Sequence, residues 1–270
     1  MGDLIKLSSA ATQEFWEISV LFEDEFLLAL NKPGLLLVSP DRNDAQRPSL
    51  TQLLRAAMER PIPPRWARQR RLAYLRNAHR LDYETSGVIL LAKTKPVLVA
   101  LANLFGSEKL NQIYVALIHG APLENSFAVD AKLAPHPTQA GLMRADQKQG
   151  KRSCTEFLVR ERFANCTLVE CRPLTGRAHQ TRVHLQHAGW PIVGDEMYGG
   201  APLLLSRLKP DYHLKPNKTE RPLISHSALH AEQLRIPHPV TCTELSITAP
   251  WPKDLTVAVK YLRRYAVPTR

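Results

Sequence analysis

With 270 residues, 44% of them apolar, the chain can bury an ample core as one large domain or two small ones. Its net charge of +11 and pI near 9.7 call for an anionic partner, of which nucleic acid is the common one. Four cysteines (Cys154, Cys166, Cys171, Cys242) with no C-x-x-C pair exclude a disulfide scaffold and read as free thiols in a reducing cytosol. No stretch reaches the roughly 18 apolar residues of a membrane span, and residues 1–9, which carry Asp3, lack the apolar core of a signal peptide.

Residues 1–17 are weakly patterned and read as a short extension. Residues 18–22 and 26–30 are apolar runs joined by Glu23-Asp24-Glu25, the pattern of two strands and a charged turn. Asn31-Lys32-Pro33-Gly34 is a turn signal, since Pro fixes φ and Gly accepts positive φ. Ser49 is placed to cap a helix over 50–60 with Leu50, Leu53, Leu54, Ala57 and Met58 on one face, ended by Pro61, Pro63 and Pro64. From Arg55 to Arg80 there follow eight arginines and one acid, Glu59, with Trp66 and Tyr74 interleaved. Such a segment is either a solvated helix face or a phosphate-contacting surface with stacking groups. Residues 88–92, opened by Gly87, are apolar throughout and predict a strand buried on both faces. Thr94 caps a predicted helix through about Glu108, with Pro96 in its first turn.

Beyond it, residues 112–118 predict a strand carrying Tyr114, and 120–150 an irregular excursion rich in Pro and polar residues. Residues 153–159 and 166–171 read as a strand pair. Thr175 is placed to cap a helix to about Ala188, ended by Gly189. Residues 190–199 read as turn, short strand and turn, and 200–225 as a surface loop. Strands at 227–234 and 243–248 close the fold, and Asp254 caps a last helix into a basic tail with Lys260, Arg263, Arg264 and Arg270. There is no internal repeat and no flexible linker, so 18–270 reads as a single domain.

Three stretches could carry chemistry. Asn77-Ala78-His79-Arg80-Leu81-Asp82-Tyr83-Glu84-Thr85-Ser86-Gly87 feeds the buried strand, so a scaffold can hold Asp82 rigidly, and Arg80 two residues away favours its ionised form. The second is the Tyr114 strand. The third is Gly176-Arg177-Ala178-His179-Gln180-Thr181-Arg182-Val183-His184. His179, His184 and His187 lack the spacing of a zinc motif, and no G-x-S-x-G elbow, P-loop or G-x-G-x-x-G occurs.

His-Arg-Leu-Asp-x-x-Thr-Ser-Gly followed by an apolar strand and Ala-Lys resembles the signature of RluA-type pseudouridine synthases. The resemblance extends from about Val20 to Ala249. It includes Pro191-Ile192-Val193-Gly194-Asp195-x-x-Tyr198-Gly199 and Leu229-His230-Ala231. It implies an α+β fold with a long, bent, mostly antiparallel mixed sheet, and an RNA uridine isomerase needing no cofactor or metal. Asp82 would be the nucleophile, Tyr114 would pack on a flipped base, and Arg182 would pair with the aspartate. Arg80, Arg177, His179, Gln180 and Leu229, with Arg68, Arg70 and Arg71, would bind substrate. Attack on the sugar, attack on the base and assisted glycal formation stay open. The implied partner is ribosomal or transfer RNA; the implied protein is cytoplasmic and monomeric, with residues 1–17 too short for a separate RNA-binding module. A non-catalytic RNA-binding protein on the same fold is the rival, and an intact Asp82 speaks against it. Gln112 and Thr181 depart from the family pattern, which usually has Lys and Ile or Leu there.

Overall fold

The computed structural model describes residues 3–41, 44, 46–106, 111–214 and 218–267. In chain order its strands and helices begin with β1 (Leu4–Ser8), β2 (Phe15–Glu23), β3 (Leu27–Lys32), α1 (Leu50–Met58), α2 (Arg65–Arg70), β4 (Arg76–Asn77), β5 (Ser86–Ala92) and α3 (Lys95–Phe105). Then come β6 (Asn111–His119), β7 (Ser126–Asp130), β8 (Leu133–Pro135), β9 (Met143–Ala145), β10 (Cys154–Arg162), β11 (Cys166–Pro173) and α4 (Gln180–His187). A 3-10 turn (Glu196–Tyr198), α5 (Leu205–Leu208), β12 (Leu229–Pro237), β13 (Glu244–Thr248) and α6 (Lys253–Tyr265) complete them. Chain contacts define two compact units, Met1–Gln112 with Ala231–Pro250, and Ile113–His230 with Trp251–Arg270. The class is α+β, with mostly antiparallel sheet.

In the first unit the strands run β1-β2-β3-β5-β12, with β4 also on β5 and β13 on β12. The β2–β3 hairpin follows from its acidic turn: the Asp24 carboxylate accepts the backbone N–H of Phe26 (2.8 Å) and Leu27 (2.7 Å). β3 and β5 pair antiparallel, Ala29 opposite Leu90 and Leu30 opposite Ile89, and β5 and the apolar residues 27–30 of β3 are fully buried. One face packs on Val97 and Leu101 of α3, Leu234 and Ile236 of β12, and Ile247 of β13. Thr94 caps α3 through the Val97 N–H, and Ser49 caps α1 through Gln52 N–H. The expected end of α3 at Glu108 and the tail residue Arg270 lie outside the described residues. Within 1–17, Leu4–Ser8 form β1 by pairing with β2, and their alternation of exposed and buried side chains is the strand period.

In the second unit β6, β11, β10 and β7 pair antiparallel in that order, and β8 pairs with β9. Phe157, Leu168, Val169 and Leu185 form its core with Leu255, Val259 and Leu262 of α6. Burial pushes the Cys166 thiol up to about 11 and the Cys171 thiol further still, so both are inert core groups. Two expectations need correction. The excursion at 120–150 contains three short strands, β7 to β9; their three to five residues are too few for the period-2 signal to stand out among prolines. The helix expected from Thr175 begins only at Gln180. Thr175 instead donates its hydroxyl to the Gln180 side chain (2.8 Å), and His179, in the left-handed region (φ 54°), turns the chain into α4.

Two features fix the end of β3 and the start of β5. The Lys32 ammonium is fully buried and donates to the carbonyls of Pro33 (2.8 Å), Leu36 (2.7 Å) and Tyr83 (3.4 Å). Gly87 has φ +117°, and a Cβ there would run into the Ala231 backbone carbonyl on β12.

Gly87→Ala should therefore lower folding stability by on the order of 3 kcal/mol in urea titration. A loss below about 1 kcal/mol would mean the β5–β12 approach yields easily. Desolvation lowers the Lys32 pKa from 10.5 to about 7 against the opposing pull of Asp82. The unfolded chain then holds more protons than the native one between about pH 7 and 10.5, and stability rises with pH there, by up to about 1.4 kcal/mol per unit. Lys32→Met should flatten that rise; parallel curves for variant and wild type across the window would refute it.

Candidate active site

In the first unit, Asp82 is half-buried at the head of a turn. Its own carbonyl accepts the Thr85 N–H (3.2 Å), and the next carbonyl, of Tyr83, accepts both Leu36 N–H (3.2 Å) and Lys32 Nζ. Its neighbours are anchors. Leu81, Thr85 and Ser86 are buried. His79 stacks on Phe105 (4.5 Å between centroids), and its Nε2 accepts the Leu90 N–H of β5 (3.0 Å). Burial brings the His79 pKa to about 3, so the ring stays neutral and works as a strut. Arg80 is exposed, and the Arg47 guanidinium lies 3.8 Å over the Tyr83 ring. Lys32 is the group that sequence reasoning missed. Asn-Lys-Pro-Gly was legible as a turn, but nothing in it announces that the lysine points inward.

The arginine-rich segment divides. Arg70 is buried; its Nε donates to Glu23 (2.8 Å), its Nη1 to the Trp66 carbonyl (3.0 Å) and its Nη2 to Asp3. Its charge is thus neutralised from within, and Trp66 is buried rather than offered as a stacking platform. Arg65, Arg68, Arg71 and Arg76 are exposed.

In the second unit, the other motif builds a closed polar framework. Gln180 is 4% exposed and fully used. Its oxygen accepts Thr175 Oγ1 and the Arg177 N–H (3.0 Å), and its amide donates to the Cys154 carbonyl (2.9 Å) and Thr155 Oγ1 (3.0 Å). These bonds make it a local cross-brace between α4 and β10. The Arg177 side chain is exposed and reaches the Arg152 carbonyl (3.2 Å). Buried His184 bonds Thr155 Oγ1 (2.9 Å), Ser153 Oγ (3.1 Å) and the Ala131 carbonyl (3.2 Å), and burial lowers its pKa. Leu229 is a core residue, 4% exposed. Tyr114, on β6 opposite Cys171, is partly buried against the same core.

Arg182 is 3% exposed and meets Asp195 in a two-pronged ion pair, Nε to Oδ2 and Nη2 to Oδ1, both 2.7 Å. The Tyr198 ring lies 4.9 Å from the guanidinium carbon, and the Tyr198 hydroxyl is 2.7 Å from His179 Nδ1 and accepts the Met143 N–H (3.0 Å). The second unit thus brings His179 and Arg182 together with Asp195 and Tyr198, two residues of the Gly-Asp-x-x-Tyr-Gly string to which sequence reasoning gave no role. Among the described residues no group of three His, Cys, Asp or Glu could hold a metal ion, so His179, His184 and His187 do not converge.

A rigidly held, solvent-reachable carboxylate with a buried ammonium in its field can act as a nucleophile or accept a proton. The chain matches the family model described as RNA pseudouridylate synthase over residues 27–187. It is similar to the ribosomal large subunit pseudouridine synthase D of Xanthomonas campestris pv. campestris, at 37% identity, covering 94% of this chain and 72% of that protein. Synthase C of Salmonella typhi is 35% identical, covering 92% and 70%. Among solved structures, human RNA pseudouridylate synthase domain containing 4 superposes with a TM-score of 0.66 at 25% identity, covering 93% of this chain and 94% of that one. The Asp82 turn falls within the matched span. The chain belongs to the RNA pseudouridylate synthase family, isomerases that convert uridine to pseudouridine in RNA.

Proposed function

We propose that this protein isomerises uridine in large-subunit ribosomal RNA, in the cytoplasm and as a monomer, with Asp82 as the nucleophile. Its similarity to synthases named for the ribosomal large subunit supports that RNA over transfer RNA. The observation that carries the role of Asp82 is its turn. Lys32, His79 and Leu81 hold the flanking backbone from beneath, while the carboxylate stays half-exposed.

In this reading residues 18–270 act as one catalytic domain. Tyr114 packs on the extruded base, which needs an aromatic face once it leaves its stack. Arg182 is the cation that keeps the reacting carboxylate charged in a desolvated site. Arg80 and Arg177 contact the RNA backbone, and so does the exposed part of the arginine-rich segment. The reaction breaks the uridine N-glycosidic bond, turns the base and rejoins it through carbon 5. The proton on that carbon is released to water, and the ring nitrogen freed from the sugar takes one up, so the product is an isomer of the uridine.

Asp82→Asn should retain the fold and RNA affinity, yet slow tritium release from 5-tritiated uridine in a large-subunit RNA transcript by more than about a thousandfold. Turnover within tenfold of wild type would remove Asp82 from the chemistry and favour the non-catalytic RNA-binding reading. Replacing Arg65, Arg68 and Arg71 together by Gln should weaken RNA binding and flatten the slope of log affinity against log salt by roughly two units, if most of the three touch phosphate. The rate at saturating RNA should hardly change, because uniform binding acts on KM. An unchanged salt slope would make these arginines a solvated face. Arg70→Gln should instead lower stability, since it strips Glu23 of a buried partner.

A further inference from the structure

We propose that Asp195 is the positioning residue for Arg182, fixing the plane and direction of the guanidinium so that it reaches the reaction already oriented. The inference rests on the reading in which the Arg182 cation serves the Asp82 carboxylate. Arg182 lies in the first turn of α4, where the helix dipole disfavours a cation and where its side chain has left water almost completely. Left alone there, its guanidinium would not be held in place.

Asp195 supplies that hold. The two parallel bonds of 2.7 Å fix the guanidinium in one plane, which a single bond would not. The Tyr198 ring backs that plane, and Met197 Sδ lies 3.9 Å from Nη2. The carboxylate is itself immobilised. Ser227 Oγ donates to its Oδ2 (3.3 Å). Its backbone carbonyl accepts the N–H groups of Tyr198 (3.0 Å) and Gly200 (2.8 Å), and its own N–H donates to Ile192 (3.1 Å). Gly194, at φ +74°, turns the chain into this loop against the His226 carbonyl, where a side chain would collide. So much rigid backbone behind one carboxylate exceeds what an ion pair needs to hold a short helix in place. It is what a cation needs if its direction matters.

The test is single-turnover tritium release from a 5-tritiated large-subunit ribosomal RNA transcript, with thermal unfolding measured alongside. Asp195→Asn should fall about 10- to 100-fold in rate at saturating RNA, with the half-saturating RNA concentration unchanged. In the Arg182→Met background the same substitution should cost no further rate, within about threefold. If Asp195→Asn does not fold, Asp195→Glu keeps the charge, displaces it by one methylene, and should show the same rate loss. A folded Asp195 variant with wild-type rate overturns the proposal. So does an equal loss in both backgrounds, which would make Asp195 act apart from Arg182. Wild-type rate in Arg182→Met would overturn it differently, through the role assigned to the arginine, and inactivity of the wild-type protein on this RNA would strike the proposed substrate.

Discussion

Burying an ammonium is among the most expensive choices a small protein can make, and the first unit is arranged around one. The Lys32 side chain has no contact with water, and its hydrogen-bond acceptors are carbonyls from two separate loops. Carbonyl dipoles offset part of the lost hydration, and only a nearby negative charge offsets more. Asp82 provides it: desolvation lowers the Lys32 pKa, and the Asp82 charge raises it again. The carbonyl that Lys32 grips belongs to the residue directly after Asp82, so the same ammonium holds the backbone that carries the Asp82 carboxylate.

The second unit solves a similar problem with side chains in place of backbone. Arg182 and Asp195 are both almost completely buried, and a buried ion pair seldom adds stability over apolar packing of the same volume. What it adds is direction. Two fixed bonds, a ring beneath and a rigid loop behind leave the guanidinium one orientation. The neighbouring Gln180 and His184 show the complementary economy: both are polar, both are buried, and they bond Cys154, Thr155 and Ala131 of their own unit. They hold β10 and α4 in register, and their place in a motif reflects that framework.

Sequence alone exposed the parts of this protein that follow one-dimensional rules. The unbroken apolar run of β5, the Ser49 and Thr94 caps and the antiparallel pair β10–β11 were legible because propensity, patterning and environment agree there. The signature around Asp82 was legible as a string, and the family it points to is the one the chain belongs to. What escaped was direction. Arg68 and Arg70 are two residues apart in a uniformly basic segment, yet one faces water and the other is locked between Glu23 and Asp3, 47 and 67 residues away. No local pattern distinguishes them, because the acids that claim Arg70 come from β2 and the segment before β1. Lys32 and Asp195 escaped for the same reason. Each belongs to a turn motif whose Gly and Pro explain the backbone, so nothing remained to flag the charged side chain beside them.

The net charge of +11 therefore needs to be apportioned before it is read as affinity for RNA. Arg70 and Arg182 spend their charge on Glu23 and Asp195 inside the protein, and Arg160, Arg263 and Arg55 pair with Glu170, Glu161 and Glu59 from the surface. Internal pairs are fixed by geometry and nearly insensitive to salt, so they shape the scaffold and cannot release counterions when RNA binds. Exposed Arg65, Arg68, Arg71, Arg76 and Arg80 follow one another along the chain that leads to Asp82. Under the proposed role of Asp82, a polyanion drawn to that stretch would be brought along the chain toward its carboxylate. The buried Lys32 ammonium keeps the last link of that stretch, the Asp82 turn, in place.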